Sequence, residues 1–178
     1  MMRALAVGSV VLALLWPEVG RYGAERGLRR STTAFHALLP APRGVARDRG
    51  LAAIDAEANR LLSSTAPGDS RLLMLAGSAR LVAKDSAGAL ERYRAALARG
   101  ERAEIDLALA RAHIVRHEMD EGQAALVRAA WLSPALAHTL PRDARRSLLR
   151  EVKLRARALR AGRLGSPPML PSVDLPAR

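Results

Sequence analysis

Small residues recur at a spacing of 33 residues in the middle of the chain, and this repetition restricts the fold more than any other feature. The matched pairs are Gly77 with Ala110, Ala89 with Gly122, Tyr93 with Leu126 and Ala96 with Ala129. Two antiparallel helices approach each other closely only where both present small side chains, with larger ones beside them. The repetition therefore predicts two helical hairpins that follow one another along the chain.

Apolar residues at helical spacing extend the pattern on both sides of these positions. Leu51, Ile54, Ala58 and Leu61 form one stripe, and the turn-forming residues at 63–70 separate it from the next helix. The helices that follow are expected from Asp69 or Ser70 to about Lys84, from Ser86 to Arg99, from about Glu101 to His117, and from Asp120 to just before Ser133.

Composition agrees with a helical domain. The chain of 178 residues is long enough for one domain, and 49% of its residues are apolar while only 3% are aromatic. This mixture suits helix packing better than β-sheet. The absence of cysteine excludes a disulfide scaffold, a thiolate zinc site and a cysteine nucleophile.

An uncharged apolar run from Ala4 to Trp16 lies near the start of the chain. It is shorter than the ~20 residues that span a bilayer, but it has the length of a signal-peptide core. No cleavage site with small residues follows it, so the expectation is an uncleaved signal anchor, or transmembrane segment, over residues 1–24. A cleaved, secreted form and a buried helix of a soluble protein are the alternatives.

The charges around this run give opposite indications of its orientation. The three-residue head before the run favours export of the rest of the chain. Four arginines after the run, between residues 21 and 30, favour the cytoplasm by the positive-inside rule. The expectation is a single-pass protein of the inner (cytoplasmic) membrane with its helical domain on the periplasmic side, and the orientation stays open.

Turn-forming residues divide the rest of the chain. Residues 25–49 are predicted to be a linker, because they contain a Ser-Thr-Thr cluster and several helix breakers. Residues 50–163 are predicted to form the helical domain. Residues 164–178 contain four prolines and are predicted to form an extended tail, either a loose end or a docking peptide.

A basic helix is predicted over residues 142–163, with Pro141 at its first turn. Residues 142–163 hold nine bases and two acids, whereas residues 51–141 hold eleven of each. A terminal helix with a polar outer face caps a helical stack, which is one interpretation of these charges. The other is that a cationic face contacts phospholipid headgroups, an acidic protein surface or nucleic acid. The residues expected to make that contact are Arg145, Arg146, Arg150, Lys153, Arg157 and Arg160.

Residues 70–134 resemble two tetratricopeptide repeats. The resemblance rests on the four matched pairs given above and on Pro134, which stands where the family expects a helix-ending proline. The chain departs from the family in its spacing, which is 33 residues, and in Glu101 at the first closing-proline position. The resemblance implies an all-α fold, a short α-solenoid of antiparallel helix pairs. Here it would carry an N-terminal signal-anchor helix and a basic C-terminal capping helix.

The resemblance also implies that the chain binds a protein or peptide, in a groove lined by the first helix of each pair. In this chain those residues are Met74, Ser78, Leu81, Val82, Leu107, Arg111, Ile114 and Val115. This groove is mostly apolar and lacks the Asn and Lys with which the family clamps a carboxylate. The expected partner is therefore an apolar protein segment, such as another subunit of a membrane or envelope complex.

The residue patterns of catalytic and metal sites are missing from the sequence. His113 and His117 are four residues apart, but the Glu of a zinc-protease helix does not stand between them. Asp106 and Glu118 are placed on a solvated helix face. The expectation is a non-enzymatic accessory or scaffold subunit without cofactor or metal. The alternative is a protein that binds anionic lipid or nucleic acid through residues 142–163, and the lack of aromatic stacking residues there disfavours nucleic acid.

Overall fold

A computed structural model describes residues 22–163 of the chain, and every regular element in this range is helical. The all-α class is therefore confirmed for the described residues. The helices are α1 (residues 22–38), α2 (Val45–Ser64), α3 (Ser70–Val82), α4 (Ser86–Leu97), α5 (Ala103–Val115), α6 (Met119–Leu132), a short 3-10 helix (Pro134–Thr139) and α7 (Arg142–Arg160).

Helices α1 and α2 form the first of three hairpins. A Cβ atom added at Gly27 would lie 2.8 Å from Leu61, and one added at Gly50 would lie 2.7 Å from Leu38. The early part of α1 thus meets the late part of α2, and the end of α1 meets the early part of α2, so the two helices run antiparallel. Two glycines supply the close approach, because any larger residue there would displace a leucine.

The other two hairpins are α3–α4 and α5–α6. Each helix from α3 to α7 packs against the α-helix that precedes it in the chain, and α7 also packs against the 3-10 helix. Helix α3 also contacts α5, the first helix of the next hairpin. At the α3–α4 crossing, the ring of Tyr93 lies against Gly77. At the α5–α6 crossing, Gly122 lies against Ile114 and the backbone oxygen of Ala110. Small residues therefore sit at both crossings, as the repeated spacing predicts.

The turns within these two hairpins have the same backbone geometry at a separation of 33 residues. Lys84 and His117 both have left-handed conformations, with φ of 69° and 63°. The residues after them, Asp85 and Glu118, have φ/ψ of −86°/74° and −85°/74°. The amide of Asp85 donates to the carbonyl of Arg80, and the amide of Glu118 donates in the same way five residues back. Both helices thus end in the same helix C-cap motif, although neither has the usual glycine.

The core consists of three clusters arranged along the chain. The first joins α1, α2 and α3, the second joins α3, α4, α5 and α6, and the third joins α6, the 3-10 helix and α7. Leu62 packs against both the first and the second cluster, and Leu126 packs against both the second and the third. Burial of apolar surface in this series is what holds the hairpins together.

The linker predicted over residues 25–49 is replaced in the structure by most of α1, a short connection and the start of α2. Ala24, Leu28 and Ser31 of α1 are buried, and Phe35 and Leu38 pack against the first core cluster. Thr33 belongs to the Ser-Thr-Thr cluster that predicts a turn. The helix accommodates it because its hydroxyl donates a hydrogen bond to the backbone carbonyl four residues earlier.

The predicted anchor over residues 1–24 lies outside the described residues, apart from its last three positions, which begin α1. The predicted tail over residues 164–178 also lies outside them. Between residues 22 and 163, none of the helices combines the length and the apolar character that crossing a bilayer requires.

Candidate interaction surfaces

The first helices of the three hairpins enclose an open depression of about 350 Å³. Its floor is apolar and its rim is charged, so it suits an apolar segment with polar ends. The residues that line it are Leu28 and Thr32 of α1, Ser70, Arg71 and Met74 of α3, and Arg102, Glu104 and Ile105 at the start of α5.

Half of the predicted groove residues lie on α3, and the structure assigns them different positions. Met74 lines the depression and is half-buried. Leu81 and Val82 are half-buried against the core clusters. Ser78 accepts a hydrogen bond of 3.2 Å from the Tyr93 hydroxyl. Only Met74 among these four is therefore placed to contact a ligand in the depression.

The other four predicted groove residues lie on α5, away from the depression. Leu107 is buried, whereas Arg111 is exposed. Ile114 and Val115 are 39% and 55% exposed and form an apolar corner with Met119, which is 60% exposed. The structure thus divides the predicted groove into a depression at one end of the hairpins and an apolar corner at the α5–α6 turn. The signal for the depression was available in the sequence, as the helical spacing of apolar residues from Ala24 to Leu38.

Tyr93 is the largest fully buried side chain of the described residues. Burial raises the pKa of its phenol, and the hydrogen bond with Ser78 and the positive charge of Arg111 oppose this effect. The phenol is therefore un-ionised at neutral pH and acts as a packing group with one hydrogen bond.

Asp106 is buried on α5, which contradicts its predicted position on a solvated face. Its side chain has 0% exposure, and neither carboxyl oxygen has a hydrogen-bond partner within residues 22–163. The pKa of this carboxyl is raised from 3.8 to about 7, mainly by burial and also by the negative charge of Glu101, while the positive charge of Arg128 opposes the shift. Arg128 itself pairs with Glu101, with a distance of 2.5 Å between Nη2 and Oε2. The ionised form of Asp106 is unfavourable here because no hydrogen bond from the described residues replaces those it would make with water.

The two histidines that share a spacing of four residues do not share a helix face. The Nδ1 atom of His113 lies 2.7 Å from a carboxylate oxygen of Glu118, and its ring is largely buried. His117 follows the end of α5 in the left-handed turn and is exposed. The hydrogen bonds from His113 and Arg116 hold the pKa of Glu118 below its usual range, with Arg116 the larger cause. In the part of the chain that the structure describes, no three side chains of the ligating types are grouped as a metal site.

Helix α7 presents a buried apolar face and an exposed cationic face. Leu148 is buried in the third core cluster, and Leu149 and Val152 pack against it. Five of the six predicted contact residues are exposed on the other side, and we call them the basic stripe: Arg146, Arg150, Lys153, Arg157 and Arg160. The sixth, Arg145, is half-buried, and its Nη1 atom lies 3.3 Å from Nδ1 of His138.

Comparison of the chain with protein-family models, with curated proteins and with solved structures gives no match.

Proposed function

We propose that the chain is a tetratricopeptide-like interaction module that binds a protein partner in the depression between α1, α3 and α5. The observation that carries this proposal is the equivalence of the turns at Lys84 and His117, which coincides with the 33-residue spacing of small residues. A coincidence of Ala-rich composition does not account for equal backbone angles and equal hydrogen bonds at that same spacing. Stacked helix hairpins present extended concave surfaces for binding, and the resemblance to tetratricopeptide repeats implies that the first helices line this surface.

The chemistry of the depression indicates the kind of partner. Leu28, Met74 and Ile105 supply apolar surface, and the Arg71 guanidinium on its rim is already paired with Asp69 and Glu25 at 2.8 and 2.9 Å. Much of the positive charge nearby is therefore neutralised within the chain. An apolar segment with a few hydrogen-bonding groups fits this surface better than an acidic peptide does.

The N-terminal apolar run supports a location at a membrane. Its last residue, Trp16, precedes residue 22, the first described residue of α1, by six positions, which span at most about 22 Å when fully extended. If the run is inserted in a bilayer, the depression stays close to the membrane surface. We therefore propose an accessory or scaffold subunit of a membrane complex, whose partner is another membrane subunit, with the helical domain on the periplasmic side.

The proposal is tested by purifying the tagged full-length chain from its own membranes in mild detergent and quantifying the proteins that accompany it. Thr32→Trp fills the depression without altering a buried core residue. Ala95→Trp places the same side chain on an exposed site of α4 and serves as the control. We expect a stoichiometric partner with the wild type and with Ala95→Trp, and its loss with Thr32→Trp when both variants have wild-type circular dichroism.

Two results would contradict the proposal. If Thr32→Trp retains the partner at the wild-type ratio, the depression is not the binding site. If no protein accompanies the wild type at a stoichiometric level after a salt wash, the chain is not a subunit of a stable complex.

A further inference from the structure

The basic stripe of α7 has no partner within residues 22–163. The ion pairs of the described residues include Arg155 with Glu151 on this helix, but none involves Arg146, Arg150, Lys153 or Arg157. Arg160 donates only to a backbone carbonyl of its own helix. The charges of the stripe are therefore available for an external anion.

The stripe is narrow and straight. Its members follow one another at intervals of four, three, four and three residues, so they lie within about 80° of arc on a helix that advances 100° per residue. Helix α7 has 19 residues and is therefore about 28 Å long. The stripe itself extends over fourteen residue steps of this helix, about 21 Å, and a row of cations of this length matches an extended anionic surface better than a single small anion.

The arrangement brings repulsion into the helix on which it occurs, although Arg157 and Arg160 lie in the last turn, where the helix dipole favours cations. Like charges separated by three or four residues repel one another. The first turn of α7 also carries Arg142 and Arg145, close to the positive end of the helix dipole. A helix that only caps the stack needs a polar outer face, and a face with fewer like charges would meet that need. An anionic surface placed against the stripe would relieve the repulsion between its charges.

We propose that the basic stripe rests on the anionic headgroups of a lipid bilayer. The apolar face of α7 is occupied by the third core cluster, so the helix contacts lipid through its charges and not by burying that face. Leu154 is 53% exposed beside the stripe and is the one large apolar residue of α7 that is free to reach the headgroup region. Polybasic surfaces bind anionic leaflets in this way.

Lipid is favoured over nucleic acid by two features. Helix α7 contains no aromatic side chain on which a base could stack. The apolar run that ends at Trp16 also supports a membrane location, where anionic headgroups attract nearby basic segments.

The test uses the full-length chain in vesicles of phosphatidylcholine, with or without about one third phosphatidylglycerol. The chain has no cysteine, so Ala161→Cys and Ala95→Cys each allow a single fluorophore, next to the stripe and on α4. A lipid with a quenching group on its headgroup reports contact. We expect quenching at residue 161 only in anionic vesicles, and its reversal by salt well above 0.1 M, because exposed charges are then screened.

Neutralising the stripe should abolish this response. In Arg150→Gln/Lys153→Gln/Arg157→Gln, each substitution should lower the ratio of bound to free helix about fivefold. The control variant, Arg43→Gln/Arg49→Gln/Arg94→Gln, loses the same charge at exposed sites outside α7 and should behave like the wild type. Recovery of the protein partner in the purification experiment should be unchanged in both triple variants, so the two proposals fail independently.

Three outcomes would overturn the lipid proposal. The first is equal quenching at residue 161 in neutral and anionic vesicles. The second is wild-type quenching in the variant that lacks the three cations. The third is salt-sensitive binding of a labelled DNA or RNA duplex that depends on the same three cations, without any response to anionic lipid, which would assign the stripe to nucleic acid.

Discussion

The ring of Tyr93 lies against the backbone of Gly77, so α3 and α4 meet where α3 has no side chain. A Cβ atom at position 77 would lie 2.5 Å from the Cε1 atom of the ring, which is too close for any real contact. Both residues are buried, and the ring is held by its hydrogen bond to Ser78. The close approach of α3 and α4 therefore depends on the absence of a side chain at position 77.

Replacing Gly77 by alanine should destabilise the fold. The gain in helix propensity is about 1 kcal/mol, but forcing a methyl group against a buried ring costs about 1–3 kcal/mol, so a net loss of up to about 2 kcal/mol in the free energy of unfolding is expected. Chemical denaturation measures it. Gly23→Ala is the matched control, because nothing lies within 4 Å of its added Cβ atom, and it should not lower stability. A loss of equal size in both variants would mean that the ring contact is not the cause.

Lys84→Gly and His117→Gly should each stabilise the fold. Both residues adopt a left-handed conformation that costs a residue with a Cβ atom about 1 kcal/mol and costs glycine little. The midpoint of thermal unfolding should rise in each variant, and by similar amounts because the two turns are equivalent. Ala83→Gly, one position earlier and with φ of −75°, should bring no gain. A stabilisation at Ala83 as large as at Lys84 would show that turn geometry is not responsible.

Asp106→Asn should remove a dependence of stability on pH. The pKa of this carboxyl is raised from 3.8 to about 7 in the folded chain, so folding favours its protonated form. The stability contributed by that form is complete below pH 3.8, is lost as the pH rises towards 7, and stays lost above it. Compared with the wild type, the Asn variant should gain stability over this range, by at most about 4 kcal/mol.

The measurement for Asp106 is urea denaturation of both proteins at several pH values between 4 and 8. Only the difference between the two curves is informative, because the low pKa values of groups such as Glu118 contribute equally to both. Parallel curves would show that Asp106 has an ordinary pKa in the folded chain.

Leu148→Ala should release α7 from the rest of the fold. This side chain is 4% exposed in the third core cluster, and removing a buried leucine side chain costs about 2–5 kcal/mol. Leu154→Ala on the same helix is the control, since 53% of that side chain is exposed and its loss should cost little. Limited proteolysis should cleave within or before α7 in the first variant and leave the second intact. Equal resistance of the two variants would contradict the packing seen here.

The helices of the central hairpins could be predicted because their sequence signals are local. The predicted ends near Lys84 and His117 extend about two residues beyond the observed ends, since left-handed turns without glycine carry no obvious signal. The first helix was missed for a similar reason. Its Ser-Thr-Thr cluster resembles a turn, and only contact with α2 and the core makes helix the better conformation.

The candidate surfaces were harder to predict than the helices, because they depend on which helices become neighbours. The depression needs α1, and a groove predicted from α3 and α5 alone combines Met74 with side chains that pack in the core or lie near the α5–α6 turn. Asp106 was placed in solvent because charged residues are rarely buried without a partner. The cationic face of α7 was predicted more accurately, since an amphipathic helix with one apolar stripe has only one way to face its core.

A core that is a row of three clusters can open from its ends. Among residues 22–163, Leu126 is the one apolar side chain that packs against both the second and the third cluster, so α7 can separate while the two central hairpins keep nearly all of their contacts. Backbone amides of α7 should consequently exchange with deuterium by local opening, far faster than those of α3 and α5, which exchange only when neighbouring hairpins separate.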